Sequence, residues 1–194
     1  MSESTHRDLV KTKTFRSASE LISFCSSISS GWYRCQAIAL GAERLSDNDC
    51  RVACDAARKA ASSETDQYRK IAPLGWPTQA LASRGLMSEA HKLATFALEE
   101  SKKITPPNSR AEALATLCRF SWELDEKYRR GILVDLFLMA ESEVGRRIGR
   151  SCASISAEFD IAGESSFVDE LLSSCKNEKL IARVERDRAK RGQA

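Results

Sequence analysis

Apolar residues recur along most of the chain at the three- and four-residue spacing that is typical of amphipathic helices. No segment shows the sustained alternation of apolar and polar residues that predicts a strand. The pattern predicts helices over residues 18–28, 30–45, 47–61, 67–83, 87–104, 110–124, 126–143, 147–162, 166–175 and 178–190. We therefore predict an all-α fold.

Local signals mark where these helices start and stop. Four serines stand three positions before an acid, as capping residues do at helix N-termini: Ser17, Ser46, Ser109 and Ser166. The 67–83 stretch contains Pro73, which removes a helical hydrogen bond and clashes with the preceding turn. We expect that helix to kink or restart, with Pro77 at the first position of the new helix.

The sequence Arg-x-x-Ala opens four of the predicted helices, at Arg34, Arg69, Arg110 and Arg150. The successive spacings are 35, 41 and 40 residues, and a turn signal follows each arginine by 12 to 16 residues. A fixed period of this length indicates a repeated helix pair. In each predicted unit, the turn between the two helices therefore lies at a similar distance after the arginine.

Over roughly residues 30–176 the chain resembles the HEAT, armadillo and tetratricopeptide α-solenoids, whose repeat lengths bracket these spacings. The resemblance implies a short right-handed stack of antiparallel helix pairs; an irregular helical bundle is the alternative. The corresponding division is an N-terminal tail and capping helix (1–28), a domain of about four helix pairs (29–176) and a charged C-terminal helix and tail (177–194).

The third unit illustrates the expected core, because an isolated helix pair buries its apolar stripe only when another pair stacks on it. The stripe of its first helix contains Leu114, Leu117, Cys118, Ser121 and Leu124. The stripe of its second helix contains Ile132, Leu133, Leu136, Phe137 and Ala140. We expect both stripes to be buried.

Composition supports a helical protein kept in a reducing compartment. There are 9 Gly and 4 Pro but 25 Ala, which favours helices over the turns of a sandwich or barrel. The seven cysteines are odd in number and scattered, which favours reduced thiols in a core over a disulfide framework.

The N-terminus lacks a signal-peptide core, and the strongest apolar run, 132–140, is too short to span a bilayer. We expect a cytoplasmic protein with no membrane partner.

Residues that carry catalytic chemistry are few. His6 lies in a terminus expected to be mobile, and His91 has no positioned partner visible in the sequence. Cys50 and Cys54 lie one helical turn apart, but two thiolates do not complete a tetrahedral metal site. We therefore expect core packing for this pair, no cofactor, no metal and no enzymatic activity. An enzyme whose site is assembled across helices is a third hypothesis.

The repeated arginines are the most specific candidate binding residues. Stacked units would align Arg34, Arg69, Arg110 and Arg150 along one edge, where guanidinium groups can bind carboxylates or phosphates. Alternatively, each arginine packs its stem on a neighbouring alanine or pairs with a local acid. Trp76, at the helix break, is a candidate partner-binding anchor, or alternatively a plug that fills the kink.

These features favour a non-enzymatic protein-interaction module, of the adaptor, chaperone or toxin-neutralising immunity class. The alternative is a HEAT-like nucleic-acid-binding protein. The repeated arginines motivate this alternative, as does the composition of residues 67–107, where six basic residues stand against three acidic ones. The net charge of +3 favours a protein partner, because phosphate-driven binding generally needs a strongly basic surface.

Overall fold

The computed structural model describes residues 3–142 and 146–191, and this part of the chain contains helices and no strand. The prediction of an all-α fold is confirmed. The α-helices are α1 (Glu3–Leu9), α2 (Ala18–Cys25), α3 (Gly31–Ala42), α4 (Asp47–Ser62), α5 (Gln67–Ile71), α6 (Gly75–Ser83), α7 (Met87–Ser101), α8 (Pro107–Arg119), α9 (Glu126–Ser142), α10 (Arg146–Ile161), α11 (Ser165–Ser174) and α12 (Glu178–Arg191). Short 3-10 turns cover Val10–Thr12 and Ala72–Leu74.

The helix boundaries follow the predicted capping signals only in part. The hydroxyls of Ser17 and Ser46 accept backbone hydrogen bonds from the third residue of their helices, as expected. Ser109, by contrast, lies inside α8, because Pro107 supplies the fixed φ of a first helical position. Ser166 likewise lies inside α11, which begins one residue earlier without a side-chain cap. The sequence pattern also missed α1 altogether.

The predicted break near Pro73 is present. Helix α5 ends at Ile71, the 3-10 turn contains Pro73, and α6 begins at Gly75. The new helix thus starts two residues before Pro77, so the expectation that Pro77 opens it was wrong. Gly75 can open it because its missing side chain leaves room for the Phe120 ring, which would lie 2.9 Å from an added Cβ.

Each helix packs mainly on helices that lie one to three places away along the chain. Helix α3 packs on α4 and α6, α6 packs on α7, and α7 packs on α8. Helix α8 packs on α9 and α10, while α10 also contacts α11 and, extensively, α12. Many side-chain contacts join residues 33 to 40 apart, including Arg51 to Glu89, Tyr128 to Ala94 and Arg119 to Glu158. These separations lie close to the spacing of the Arg-x-x-Ala sequences.

The core consists largely of alanine, leucine, isoleucine and cysteine. All ten residues of the predicted third-unit stripes are buried, each no more than 5 % exposed. The core continues into α12 through Leu180 and Val184. Close approach of α3 and α4 depends on Gly31, where an added Cβ would lie only 2.2 Å from the carbonyl oxygen of Ala60.

All seven cysteines are free thiols, and all except Cys175 are buried. Burial raises the pKa of Cys25 and of Cys118 to about 12, so these thiols stay protonated at neutral pH. The expectation that cysteines serve as small core residues therefore describes six of the seven.

Within the described part of the chain, no helix combines the length and apolarity needed to cross a membrane.

Candidate functional site

An open groove of about 580 Å³ lies between α8 and α10, with one residue of α5 at its edge. We call it the arginine groove. Its lining consists of Tyr68 from α5, Glu112, Ala115, Thr116 and Arg119 from α8, and Arg147, Arg150, Ser151 and Ser154 from α10. Its volume falls within the range of small-ligand pockets, roughly 300–1,000 Å³.

Helical periodicity explains why these residues share one surface. On each of the two helices the lining residues stand at positions i, i+3, i+4 and i+7, which follow one stripe of an α-helix. The stripe of α10 runs from Arg147 to Ser154, and the stripe of α8 runs from Glu112 to Arg119. Because α8 and α10 pack against each other, the two polar stripes become the two walls of a groove.

The cations of the groove are only partly neutralised. Two hydrogen bonds fix Arg119: its Nε donates to the Glu158 carboxylate at 2.7 Å, and its Nη2 donates to the Ser154 hydroxyl oxygen at 2.7 Å. Arg147 lies 3.8 Å from a carboxylate oxygen of Glu112, too far for a hydrogen bond, and its side chain is 61 % exposed. Arg150 is exposed and forms no hydrogen bond or ion pair within the described residues. The groove therefore presents two guanidinium groups with free donors.

Tyr68 closes one end of the groove and connects it to a row of aromatic side chains. Its ring stacks on Trp32 at a centroid distance of 5.4 Å, and Trp32 meets Trp76 edge-on at 6.0 Å. Burial, with a smaller contribution from the Glu112 carboxylate, raises the pKa of Tyr68. The phenol consequently keeps its proton at neutral pH and remains a hydrogen-bond donor.

The structure brings the four predicted arginines together only in part. Arg34 donates to Ser63 at 3.4 Å, and Arg69 lies 3.5 Å from a carboxylate oxygen of Glu64. Both arginines therefore reach the turn that follows α4. Arg110 is half-buried, and its Nε has no hydrogen-bond partner among the described residues. Arg150 lines the arginine groove.

Arg69 thus pairs with a local acid, Glu64, as the alternative interpretation anticipated, whereas Arg34 contacts a serine, Ser63. Glu64 is itself a structural link, because it also accepts hydrogen bonds from the backbone N–H of Trp32 at 2.9 Å and from the Ser30 hydroxyl at 3.0 Å. A binding role for all four arginines along one edge stays a prediction.

Trp76 is half-buried at the start of α6 and fits closely against its neighbours. Its ring lies 4.3 Å from the Phe120 ring and 6.0 Å from the Trp32 ring, measured between centroids. It thus packs against the end of α8 and the start of α3, across the break in the 67–83 stretch. These contacts favour the interpretation that Trp76 fills the kink, and a further role as a partner-binding anchor stays a prediction.

Among the described residues, the other candidate chemical groups do not assemble a site. The side chain of His6 lies outside the described residues, although its backbone belongs to α1. His91 is half-buried on α7. Cys50 and Cys54 lie 3.9 Å apart, sulfur to sulfur, deep in the core, where their thiols face the carbonyls of Ala80 and Pro77. Within the described ranges, no cluster of three or more His, Cys, Asp or Glu could hold a metal ion.

A second open groove, of about 400 Å³, lies between α4 and α7 and has a more apolar floor, formed by Leu81, Leu93 and Phe96. The charged groups at its edge largely neutralise one another. Arg51 pairs with Glu89 at 2.7 Å, and Arg58 pairs with Asp55 at 2.9 Å. Its remaining cation, the exposed Lys92, forms no ion pair among the described residues, so this groove offers one such cation where the arginine groove offers Arg147 and Arg150.

Sequence reasoning found Arg150 but missed Arg119, Arg147 and the hydroxyl-bearing residues of the arginine groove. The polar stripe of α10 can be read from the sequence, since Arg147, Arg150, Ser151 and Ser154 follow helical spacing. That this stripe faces the stripe of α8 depends on tertiary packing.

Comparison of the chain with protein-family models, curated proteins and solved structures finds no match.

Proposed function

We propose that the chain is a non-enzymatic protein-interaction module that docks a partner protein in the arginine groove. The observation that carries this proposal is an open groove whose walls present weakly paired cations. Among the described residues Arg150 has no hydrogen-bond or ion-pair partner, and Arg147 is held only at 3.8 Å from Glu112. Exposed arginines in a concave surface are typical of protein-binding sites, where arginine is enriched.

We further propose that the helices form a short right-handed stack of antiparallel pairs, of the α-solenoid type. Two observations support it: each helix contacts mainly helices one to three places away along the chain, and many side-chain contacts span 33 to 40 residues. In such a stack the groove lies between the first helices of the third and fourth units, with Tyr68 from the second. Stacked helix pairs create extended surfaces of this kind for binding other proteins.

A cytoplasmic location belongs to the same proposal. It is supported by seven cysteines that remain unpaired, since cysteine pairs in oxidising compartments generally form disulfides. Adaptors, chaperones and toxin-neutralising immunity proteins are cytoplasmic modules consistent with these features. Nucleic-acid binding through the same arginines is the competing possibility, and the experiments below separate the two.

Site-specific photo-crosslinking tests the docking surface directly. A benzophenone amino acid is placed at Ser151 in the arginine groove, and in a matched variant at Ser23, an exposed serine on α2. Both proteins are expressed in cells that naturally contain the chain, irradiated and analysed by mass spectrometry. We expect a discrete protein adduct from position 151 that position 23 does not give. No adduct at 151, or identical adducts at both positions, would contradict the proposed function.

A further inference from the structure

The arginine groove presents more positive charge than the described residues around it neutralise. Three arginines and one glutamate line it. We infer that it binds an extended, acidic segment of a partner protein, whose carboxylates contact Arg147 and Arg150. This inference rests on the proposed function, because it specifies the chemistry of the partner at the same groove.

The hydrogen-bonding state of the arginines shows which of them can accept a ligand. Arg119 already has two hydrogen bonds of 2.7 Å, so it shapes the groove wall. Arg147 has a single distant anion at 3.8 Å, and Arg150 has none within the described residues. A guanidinium group binds a carboxylate through two parallel hydrogen bonds, and such charge-assisted bonds are stronger than neutral ones. Arg147 and Arg150 are therefore the recognition residues.

The spacing of these two arginines fits an extended peptide. Residues three apart on a helix have Cβ atoms about 5–6 Å apart. In an extended chain, every second side chain lies on the same face, about 6.6 Å apart, at about 3.3 Å per residue. An acid at every second position can therefore meet Arg147 and Arg150 at the same time.

The remaining lining residues suit the peptide backbone. Ser151 lies on the α10 wall and its hydroxyl is unbonded within the described chain, so it is available to a peptide carbonyl or N–H. The Tyr68 phenol, which keeps its proton, is a second donor at the edge of the groove. Ala115 leaves room on the floor, since its side chain is a single methyl group.

The same features disfavour a nucleic acid as the natural ligand. Glu112 lies in the groove and Glu158 lies beside it on Arg119, and both carboxylates repel phosphates. Every nucleotide of a nucleic-acid strand carries a charged phosphate, so the strand has no uncharged backbone position that could lie beside these glutamates. A peptide can place an uncharged residue there. The modest overall charge of +3 points in the same direction.

Fluorescence anisotropy with defined probes tests the inference on the full chain. The probe is a labelled ten-residue peptide of alternating Asp and Thr, and its matched control has Asn in place of each Asp. We expect the Asp peptide to bind, the Asn peptide not to bind, and affinity to fall as salt is raised. Loss of one charge-assisted interaction is expected to weaken binding by about tenfold.

Four variants separate recognition from general charge. Arg147→Gln and Arg150→Gln should each weaken binding of the Asp peptide by about tenfold, since each removes one guanidinium fork. Arg150→Lys should rescue binding only in part, because lysine keeps the charge and loses the fork. Arg16→Gln removes an exposed arginine that precedes α2, and it should leave affinity unchanged. Far-UV circular dichroism verifies that each variant is folded.

Three results would overturn the inference. These are equal binding of the Asp and Asn peptides, unchanged affinity in both groove variants, or tighter Arg150-dependent binding of a labelled single-stranded RNA of the same charge. If peptide binding fails while cross-linking at Ser151 still identifies a partner, the acidic chemistry is wrong and the proposed docking function stands. If no adduct forms at Ser151, the docking function itself is contradicted.

Discussion

Substituting Gly31 by alanine tests the packing on which the first helix pair depends. Gly31 is the first residue of α3, and a Cβ added there would lie 2.2 Å from the carbonyl oxygen of Ala60 and 2.6 Å from the Ser63 hydroxyl oxygen. The hydroxyl can rotate away. The Ala60 carbonyl cannot, because it belongs to the backbone of α4.

The size of the effect follows from the contact distance. Relieving the 2.2 Å contact to an ordinary separation of about 3.5 Å requires α3 and α4 to move apart by about 1.3 Å at this point. A gap of that size removes about half or more of the attraction between facing atoms. Overpacking of this kind typically costs about 1–3 kcal/mol. For a chain of this length we expect the melting temperature to fall by about 2–12 °C.

Gly131→Ala is the matched control, because Gly131 is an exposed interior residue of α9 with nothing within 4 Å of its added Cβ. Here alanine should stabilise the helix by about 0.5–1 kcal/mol and raise the melting temperature by about 1–4 °C. Thermal unfolding followed by far-UV circular dichroism compares the two variants. If Gly31→Ala is as stable as the parent or more so, the close approach of α3 and α4 described above is incorrect.

Three further predictions concern the core, an acid-sensitive link and the thiols. Leu136→Asp should unfold the chain, at a cost of several kcal/mol, since Leu136 is 0 % exposed. Leu138→Asp, two residues away and 58 % exposed, should change stability by about 0.5 kcal/mol or less, and similar behaviour of the two variants in denaturant titrations would contradict the packing of α9. The hydrogen bond from the backbone N–H of Trp32 is the main cause of the lowered pKa of Glu64. The ionised Glu64 carboxylate should therefore stabilise the fold fully above about pH 4.3, and this contribution should be lost as the pH falls through the lowered pKa. Glu64→Gln should therefore reduce stability at pH 7 and flatten its acid dependence, whereas an acid dependence identical to that of the parent would exclude this role. Finally, a disulfide reagent should label Cys175 fastest in the native protein, because the other six cysteines are buried. The Cys175→Ser variant should lack this fast labelling phase. A fast phase that persists in the variant would show that another thiol is accessible.

Helical periodicity and proline chemistry account for most of what could be read without tertiary structure. The all-α class, the interruption around Pro73 and the positions of the apolar stripes of the third unit depend on interactions or spacing within one helix or one turn, although burial of those stripes requires the neighbouring helices. Such interactions are local in sequence, so the pattern of residues specifies them. The errors at Ser109 and Ser166 are of one kind: several residues near each helix start can cap it, and neighbouring groups decide between them.

The candidate site required the tertiary structure. The sequence places Arg147 and Arg150 on one stripe of α10, but only the packing of α10 on α8 sets that stripe opposite Glu112 and Arg119. Whether an arginine is free or paired also depends on acids far away in sequence: Glu158 neutralises Arg119 from 39 residues away, whereas Arg150 finds no such partner in the described chain. The sequence by itself thus determined which faces of the helices are polar. The tertiary structure decided which cations keep their donors free, because charge pairing acts over a few ångströms in space whatever the separation along the chain.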